Sequence, residues 1–250
     1  MEQLTERENR KALLKDTLQK FGGDPKHPEI DQAIEALVAL NPYPAPTEQF
    51  DLVRGNWKLI SAPSFPNGDR QADGSYVYTL GRLAFNMFQP KDLKVVIESV
   101  EQPVLPIDPA PKHTHDIVVT FRTHSLEQPA VHGRVINLGV CEANSDTSIQ
   151  VEFTGGVLEP LEQTDLSQWK ALFGETSTKA NYSVKERIQG LFLKMLFGLV
   201  PPKEMQADGK VEFQMKRSPK GSLEILYLDE ELRITKGEKG TVLVCERITS

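Results

Sequence analysis

Cysteine is scarce: Cys141 and Cys245 are the only two in 250 residues, and they stand 104 positions apart. They offer neither a disulfide framework nor a C-x-x-C metal knuckle, so a reducing compartment is the simpler setting. Long apolar runs are missing too, and none reaches the ~18 residues that a membrane-spanning helix requires. The N-terminus, Met1-Glu2-Gln3-Leu4-Thr5-Glu6-Arg7-Glu8-Asn9-Arg10, lacks the apolar core of a signal peptide and is too acidic for a transit peptide, which points to a cytoplasmic protein. Positive charge is in deficit, with a formal net charge of -6, and this argues against a nucleic-acid partner. G-x-S-x-G, the P-loop and G-x-G-x-x-G are absent, so the commonest hydrolase, nucleotide-phosphate and dinucleotide signatures are excluded.

What is present falls into two parts. From Thr5 to Lys20 only Leu13, Leu14 and Leu18 break a charged pattern, which is the narrow stripe of a surface helix. Gly22-Gly23 stops it. Pro28 to Leu40 carries Ile30, Ile34, Leu37, Val38 and Leu40 on one side, so the two segments predict a helical hairpin. Asn41-Pro42-Tyr43-Pro44-Ala45-Pro46 then holds the chain extended as a hinge. The expected division is residues 1–46 as appendage and 47–250 as the main domain.

Beyond Asp51 the apolar period changes from helical to two. Ile149, Val151 and Phe153 share one strand face, as do Val211, Phe213 and Met215. Strand readings also cover Trp57 to Ser61, Tyr76 to Leu80, Leu93 to Val100, Ile117 to Phe121, Val131 to Cys141, Leu223 to Leu228, Leu232 to Thr235 and Val242 to Arg247. About nine short strands without crossover helices predict a mainly β, antiparallel barrel or sandwich. Lys236-Gly237-Glu238-Lys239-Gly240 supplies a turn with two glycines for positive φ. Leu166 to Phe173 reads as a short helix carrying Trp169.

A longer helical pattern interrupts the strands from Asn181 to Val200, with Ile188, Leu191, Phe192, Met195, Leu196 and Leu199 on one face. The stretch from Lys185 to Lys220 holds eight Lys and Arg (185, 187, 194, 203, 210, 216, 217, 220) against four acids (186, 204, 208, 212). Such a helix can lie in an anionic lipid interface. It can equally plug one end of a barrel.

Few residues suggest chemistry. His113-Thr114-His115 puts two imidazoles on one strand face, but nothing is spaced to complete a metal set, and the Pro-rich stretch from Val104 to Pro111 before it reads equally as an exposed loop edge, so no metal is assigned. Cys141 and Cys245 lie in apolar strands with no neighbouring histidine and read as small hydrophobes. Asp229-Glu230-Glu231 beside Arg233 reads as a solvated turn with Arg233 as its ion partner, in preference to an acid-base pair. No catalytic residue is assigned. Closure of a barrel would bring Trp57 beside Arg247, a contact worth ~1 to 2 kcal/mol when shielded from water. The alternative is a core tryptophan and a surface arginine that never meet.

Asn41-Pro42-Tyr43-Pro44-Ala45-Pro46, followed by Leu52-Val53-Arg54-Gly55-Asn56-Trp57-Lys58-Leu59-Ile60, resembles the opening signature of the plastid lipid-associated protein (PAP), or plastid fibrillin, family. Leu226 to Ile234 and Lys236 to Val244 resemble its closing signature. Gly55 and Trp57 match the first motif, and Asp229, Leu232, Arg233 and Gly237 the second; Ile60-Ser61-Ala62 departs from it. The resemblance implies a lipocalin-like antiparallel β-barrel of about eight to nine strands, with the helical appendage before it and the amphipathic helix inserted before the last strands. It implies a non-enzymatic binder of a prenylquinone, carotenoid or other lipid at the thylakoid surface, with roles in prenyl-lipid metabolism and photoprotection, and suggests a cyanobacterial member. No cofactor is required beyond such a bound lipid. Strand parity then places Leu59, Val95, Ile97, Val119, Phe121, Val151, Phe153, Phe213, Met215, Ile225 and Tyr227 on a cavity wall. The rival readings are a scaffold that coats lipid or docks a prenyl-lipid biosynthetic enzyme, and a bilin chromophore lyase.

Overall fold

A computed structural model describes residues 2–63, 65, 68–124, 129–174, 199–200, 204–217 and 220–248. Two helices open the chain, α1 (Glu2–Lys20) and α2 (Pro28–Val38), followed by the single turn α3 (Phe50–Val53). Gly22 and Gly23 hold φ at 70° and 75°, a backbone that ends α1 and that residues with a Cβ rarely adopt. Pro28 opens α2 behind His27, whose side chain accepts a hydrogen bond from the Glu29 N–H.

The strands are β1 (Gly55–Leu59), β2 (Asp69–Arg70), β3 (Tyr76–Thr79), β4 (Lys94–Val104), β5 (His113–Thr114), β6 (Ile117–Thr123), β7 (His132–Ala143), β8 (Ser148–Pro160), β9 (Leu199–Val200), β10 (Val211–Met215), β11 (Lys220–Leu228), β12 (Leu232–Gly237) and β13 (Val242–Arg247). The turn α4 (Leu80–Leu83) follows β3, and α5 (Leu166–Phe173) follows β8. Eight strands close a barrel: β1, β4, β6, β7, β8, β11, β12 and β13 pair in chain order, every pair antiparallel, and β13 returns to β1. This is an up-and-down barrel, which leaves no free edge in the ring.

Two of the barrel strands are longer than the ring. β4 pairs with β1 over Glu101–Val104 and with β3 over Lys94–Val96. β8 pairs with β11 over Ser148–Glu152 and with β10 over Gly155–Leu158. The barrel therefore has a closed half, ringed by eight strands, and an open half, whose wall continues into β3 and β10. In the open half Tyr78, Leu83, Phe88, Val95, Phe121, Trp169 and Phe213 belong to one apolar core. Trp169 packs against Gly133, where a Cβ would come within 2.4 Å of the indole. In the closed half the core is Val53, Trp57, Val104, Cys141, Ile149, Val151, Ile225, Leu228 and Cys245.

The helical hairpin covers the outside of the closed half. Leu14 and Leu18 of α1, with Ile30, Ile34 and Leu37 of α2, pack on Tyr227, Leu232, Ile234 and Val244. β12 is consequently buried on both faces, and Leu232, Arg233, Ile234 and Thr235 all lose contact with water.

Three sequence expectations are corrected. Leu199 and Val200, read as the end of the long helix, form β9 and pair with β10; Ile188, Leu191, Phe192, Met195 and Leu196 fall outside the described residues. Tyr227, read as a cavity-wall residue, packs under the hairpin, because a bulge between Ile225 and Tyr227 shifts the strand's alternation. Of the two turn glycines, Gly240 alone takes positive φ, at 79°.

Candidate functional site

The seam between the two halves is where the wall leaves room. β1 stops pairing with β4 at Lys58, and β4 carries a bulge between Ile97 and Ser99 before it reaches β3. The unpaired stretch opens a cleft of about 550 Å³. Leu59, Ile97 and Val100 line it from the core side, and Lys15, Leu18 and Gln19 of α1 line it from above, with Glu246 beside them. Leu59 packs against both the open-half and the closed-half core, so the cleft touches the apolar interior.

Below the seam the interior is polar at its centre. Trp57 pairs in register with Arg247 across the β1–β13 closure, and the Arg247 guanidinium lies 4.2 Å from the ring centre. Arg233 approaches the same ring at 4.9 Å, and Trp57 Nε1 donates to the Val53 carbonyl at 2.8 Å. Arg247 donates to the carbonyls of Glu230, Arg54 and Leu52. Gly55, with φ at 126°, leaves room for it: a Cβ there would meet Arg247 Nη1 at 2.3 Å.

His115 is fully buried, and neither ring nitrogen has a partner among the described residues. Burial, aided by the positive charge of Arg233, pushes it down to about 3, so the imidazole is neutral at ordinary pH. His113 is also buried; its Nε2 accepts from Arg54 Nε at 3.0 Å, and its ring stacks on Phe50. Among the described residues no group of three or more His, Cys, Asp or Glu is placed to hold a metal ion. Burial pushes the Cys141 thiol up to about 11 and raises Cys245 as well, so neither is poised as a nucleophile.

The acidic turn differs from the sequence expectation. Asp229 is 1% exposed, not solvated, and accepts from Tyr227 Oη at 2.6 Å and from the Glu231 and Leu232 N–H groups. Its ion partner is Lys11 of α1, at 3.1 Å. Burial alone would raise this carboxyl; the hydrogen bonds outweigh it and hold it below the usual range. Arg233 cannot reach the turn because strand alternation sends it into the barrel. There its Nη2 donates to Gln102 Oε1 at 2.5 Å. Leu232 is buried under the hairpin, and Gly237 ends β12.

The proposed wall residues separate into groups. Val95, Val119, Phe121, Phe213 and Met215 are buried in the open-half core, with Leu59, Ile97 and Phe153 packed against it. Val151 and Ile225 belong to the closed half. Only Leu59 and Ile97 of the set line the cleft. Gln102 was missed, although Val100, Gln102 and Val104 alternate along β4 and place its amide inward.

The PAP_fibrillin family model matches residues 21–67 and 114–246. The chain belongs to the PAP/fibrillin family. Among its relatives, plastoglobulin-1, chloroplastic, from Pisum sativum is 23% identical over 230 residues, covering 89% of this chain and 55% of its own length. Probable plastid-lipid-associated protein 3, chloroplastic, from Arabidopsis thaliana is 24% identical over 231 residues, covering 89% and 52%. The chain thus spans about half the length of these curated relatives. No solved structure matches it. The family match includes β1 and every barrel strand from β6 onward, and omits 68–113, which holds β2, β3, α4 and β4.

Proposed function

We propose that the protein binds lipid-like small molecules, a prenylquinone or carotenoid among them, and holds them without transforming them. The observation that carries this reading is the 550 Å³ cleft at the seam, lined on its core side by Leu59, Ile97 and the buried Val100. Burying an apolar tail there contributes ~25 cal/mol per Å² removed from water. Family membership supports the same reading, the plastid-lipid names of the two relatives favour work at a lipid particle, and a thylakoid surface would serve the same binding. Among the described residues no helix is long and apolar enough to cross a membrane, and the reading asks only for peripheral contact.

A second reading, a structural role at lipid surfaces, is favoured by the closed half, where Val53, Trp57, Ile149, Val151 and Ile225 pack on one another in one core. Mass spectrometry of the organic extract of gently purified protein separates the two. A co-purifying prenyl lipid, pigment or acyl molecule, lost in Ile97→Glu, is the expected result. An extract empty of lipid would leave the structural role standing alone.

A further inference from the structure

The closed half holds a positive charge that the residues around it do not balance. Arg233 is 1% exposed. Its Nη2 is satisfied by Gln102, while Nε and Nη1 have no hydrogen-bond partner among the described residues. A guanidinium keeps its proton in proteins, and a buried charge persists when an opposite charge and hydrogen bonds meet it. Around Arg233 stand the Trp57 ring at 4.9 Å, which carries no net charge, the thiols of Cys245 and Cys141, and the charge of Arg247. Thiols raised by burial stay neutral and supply only weak acceptors. Arg247 adds a like charge and is committed to three carbonyls. His115 contributes two more unpartnered polar atoms to the same interior.

Strand register connects this centre to the cleft. Arg233 pairs with Cys245, and Cys245 pairs with Leu59, so the three stand in one row across β12, β13 and β1. Neighbouring strands are ~4.8 Å apart, which puts Leu59 ~10 Å along the wall from Arg233. Leu59 lines the cleft.

We infer that the barrel takes a carboxylic acid, with its carboxylate on the unpartnered donors of Arg233 and, in a long-chain acid, the tail passing Leu59 into the cleft. This rests on the lipid-binding reading and names the head group it admits. One unbalanced guanidinium matches one negative charge. A diphosphate head would bring several, and among the described residues the closed-half core supplies no buried lysine to meet them.

The test is titration calorimetry of the lipid-extracted full chain with hexadecanoic acid, its methyl ester and acetate. Hydrogen bonds to a charged group predict that the acid binds at least about tenfold more tightly than the ester. Acetate that binds as tightly as hexadecanoate identifies a small free acid as the source; weak acetate binding identifies an acyl lipid. Arg233→Met removes the charge at similar volume, and Gln102→Glu supplies an internal carboxylate where Gln102 Oε1 already accepts. Both should abolish the preference for acid over ester, and Gln102→Glu keeps the test alive if Arg233→Met does not fold. Equal binding of acid and ester by the unsubstituted protein would overturn the head-group assignment while leaving lipid binding intact. So would a preference that survives in either folded variant.

Discussion

The two halves of this barrel are closed by different physics. In the closed half, eight strands pair in a complete ring with a bulge in β11, and the helical hairpin clamps β11, β12 and β13 from outside. In the open half β3 and β10 do not pair with each other, and apolar side chains cover the interior: Phe88 on Phe213, Phe121 on Phe173, Trp169 over Gly133. A hydrogen-bonded ring is directional and tolerates polar groups inside it, such as Arg233 and His115, whereas an apolar plug can repack around a guest. The cleft lies where one mode gives way to the other. The segment that the family model omits, 68–113, supplies β3 and α4 of the open half, so the open half is where this chain extends beyond its match to the family.

The largest effect that probes this contrast is Trp57→Ala. Removing a fully buried aromatic costs ~3 to 5 kcal/mol, and the loss of two guanidinium contacts places Trp57 near the upper end. Trp169→Ala should cost ~3 kcal/mol, because the open-half core can collapse into the space. Urea denaturation of both variants measures the difference. Equal costs would show that the open half is as rigid as the ring.

A smaller effect comes from the neutral histidine at the barrel's centre. The folded-state value of His115, about 3, lies below the ordinary 6.5, so the unfolded chain binds its proton first. The stabilisation is whole above pH ~6.5 and is lost as pH falls towards 3, reaching ~2 kcal/mol by pH 5. His115→Leu should therefore lose less stability than the unsubstituted protein between pH 7 and pH 5. Parallel slopes in denaturant titrations would mean that water reaches the imidazole and that the closed half is not dry.

Much of the barrel was legible because alternation with period two is a local signal: all ten strand readings find a counterpart among β1, β3, β4, β6, β7, β8, β10, β11, β12 and β13. Closure accounts for the pairing of the first and last strands, and the register then sets Trp57 opposite Arg247, which decides between the two readings the sequence left open. Tyr227 was not legible, because one bulged residue inverts the parity of the rest of its strand without changing the composition. Asp229 was misread for a different reason. Three consecutive acids look solvated, and nothing near them in sequence announces Lys11, more than two hundred residues away, arriving on a helix that buries the turn. The cleft was invisible for a related reason: it consists of hydrogen bonds that β1 and β4 do not make.

The smallest effect bears most directly on that cleft. Lys15 of α1 bonds Glu246 of β13 at 2.5 Å, and both residues line the opening. Their side chains are 37% and 43% exposed, so solvent screens the pair, and Lys15→Ala should change stability by no more than ~0.5 kcal/mol. Its consequence is kinetic. If the hairpin forms part of the mouth, loosening this tether lets α1 move away from Leu59, and transfer of bound lipid to acceptor vesicles becomes faster at unchanged stability. An unaltered transfer rate would mean that ligands pass through the open half and that the hairpin only braces the ring.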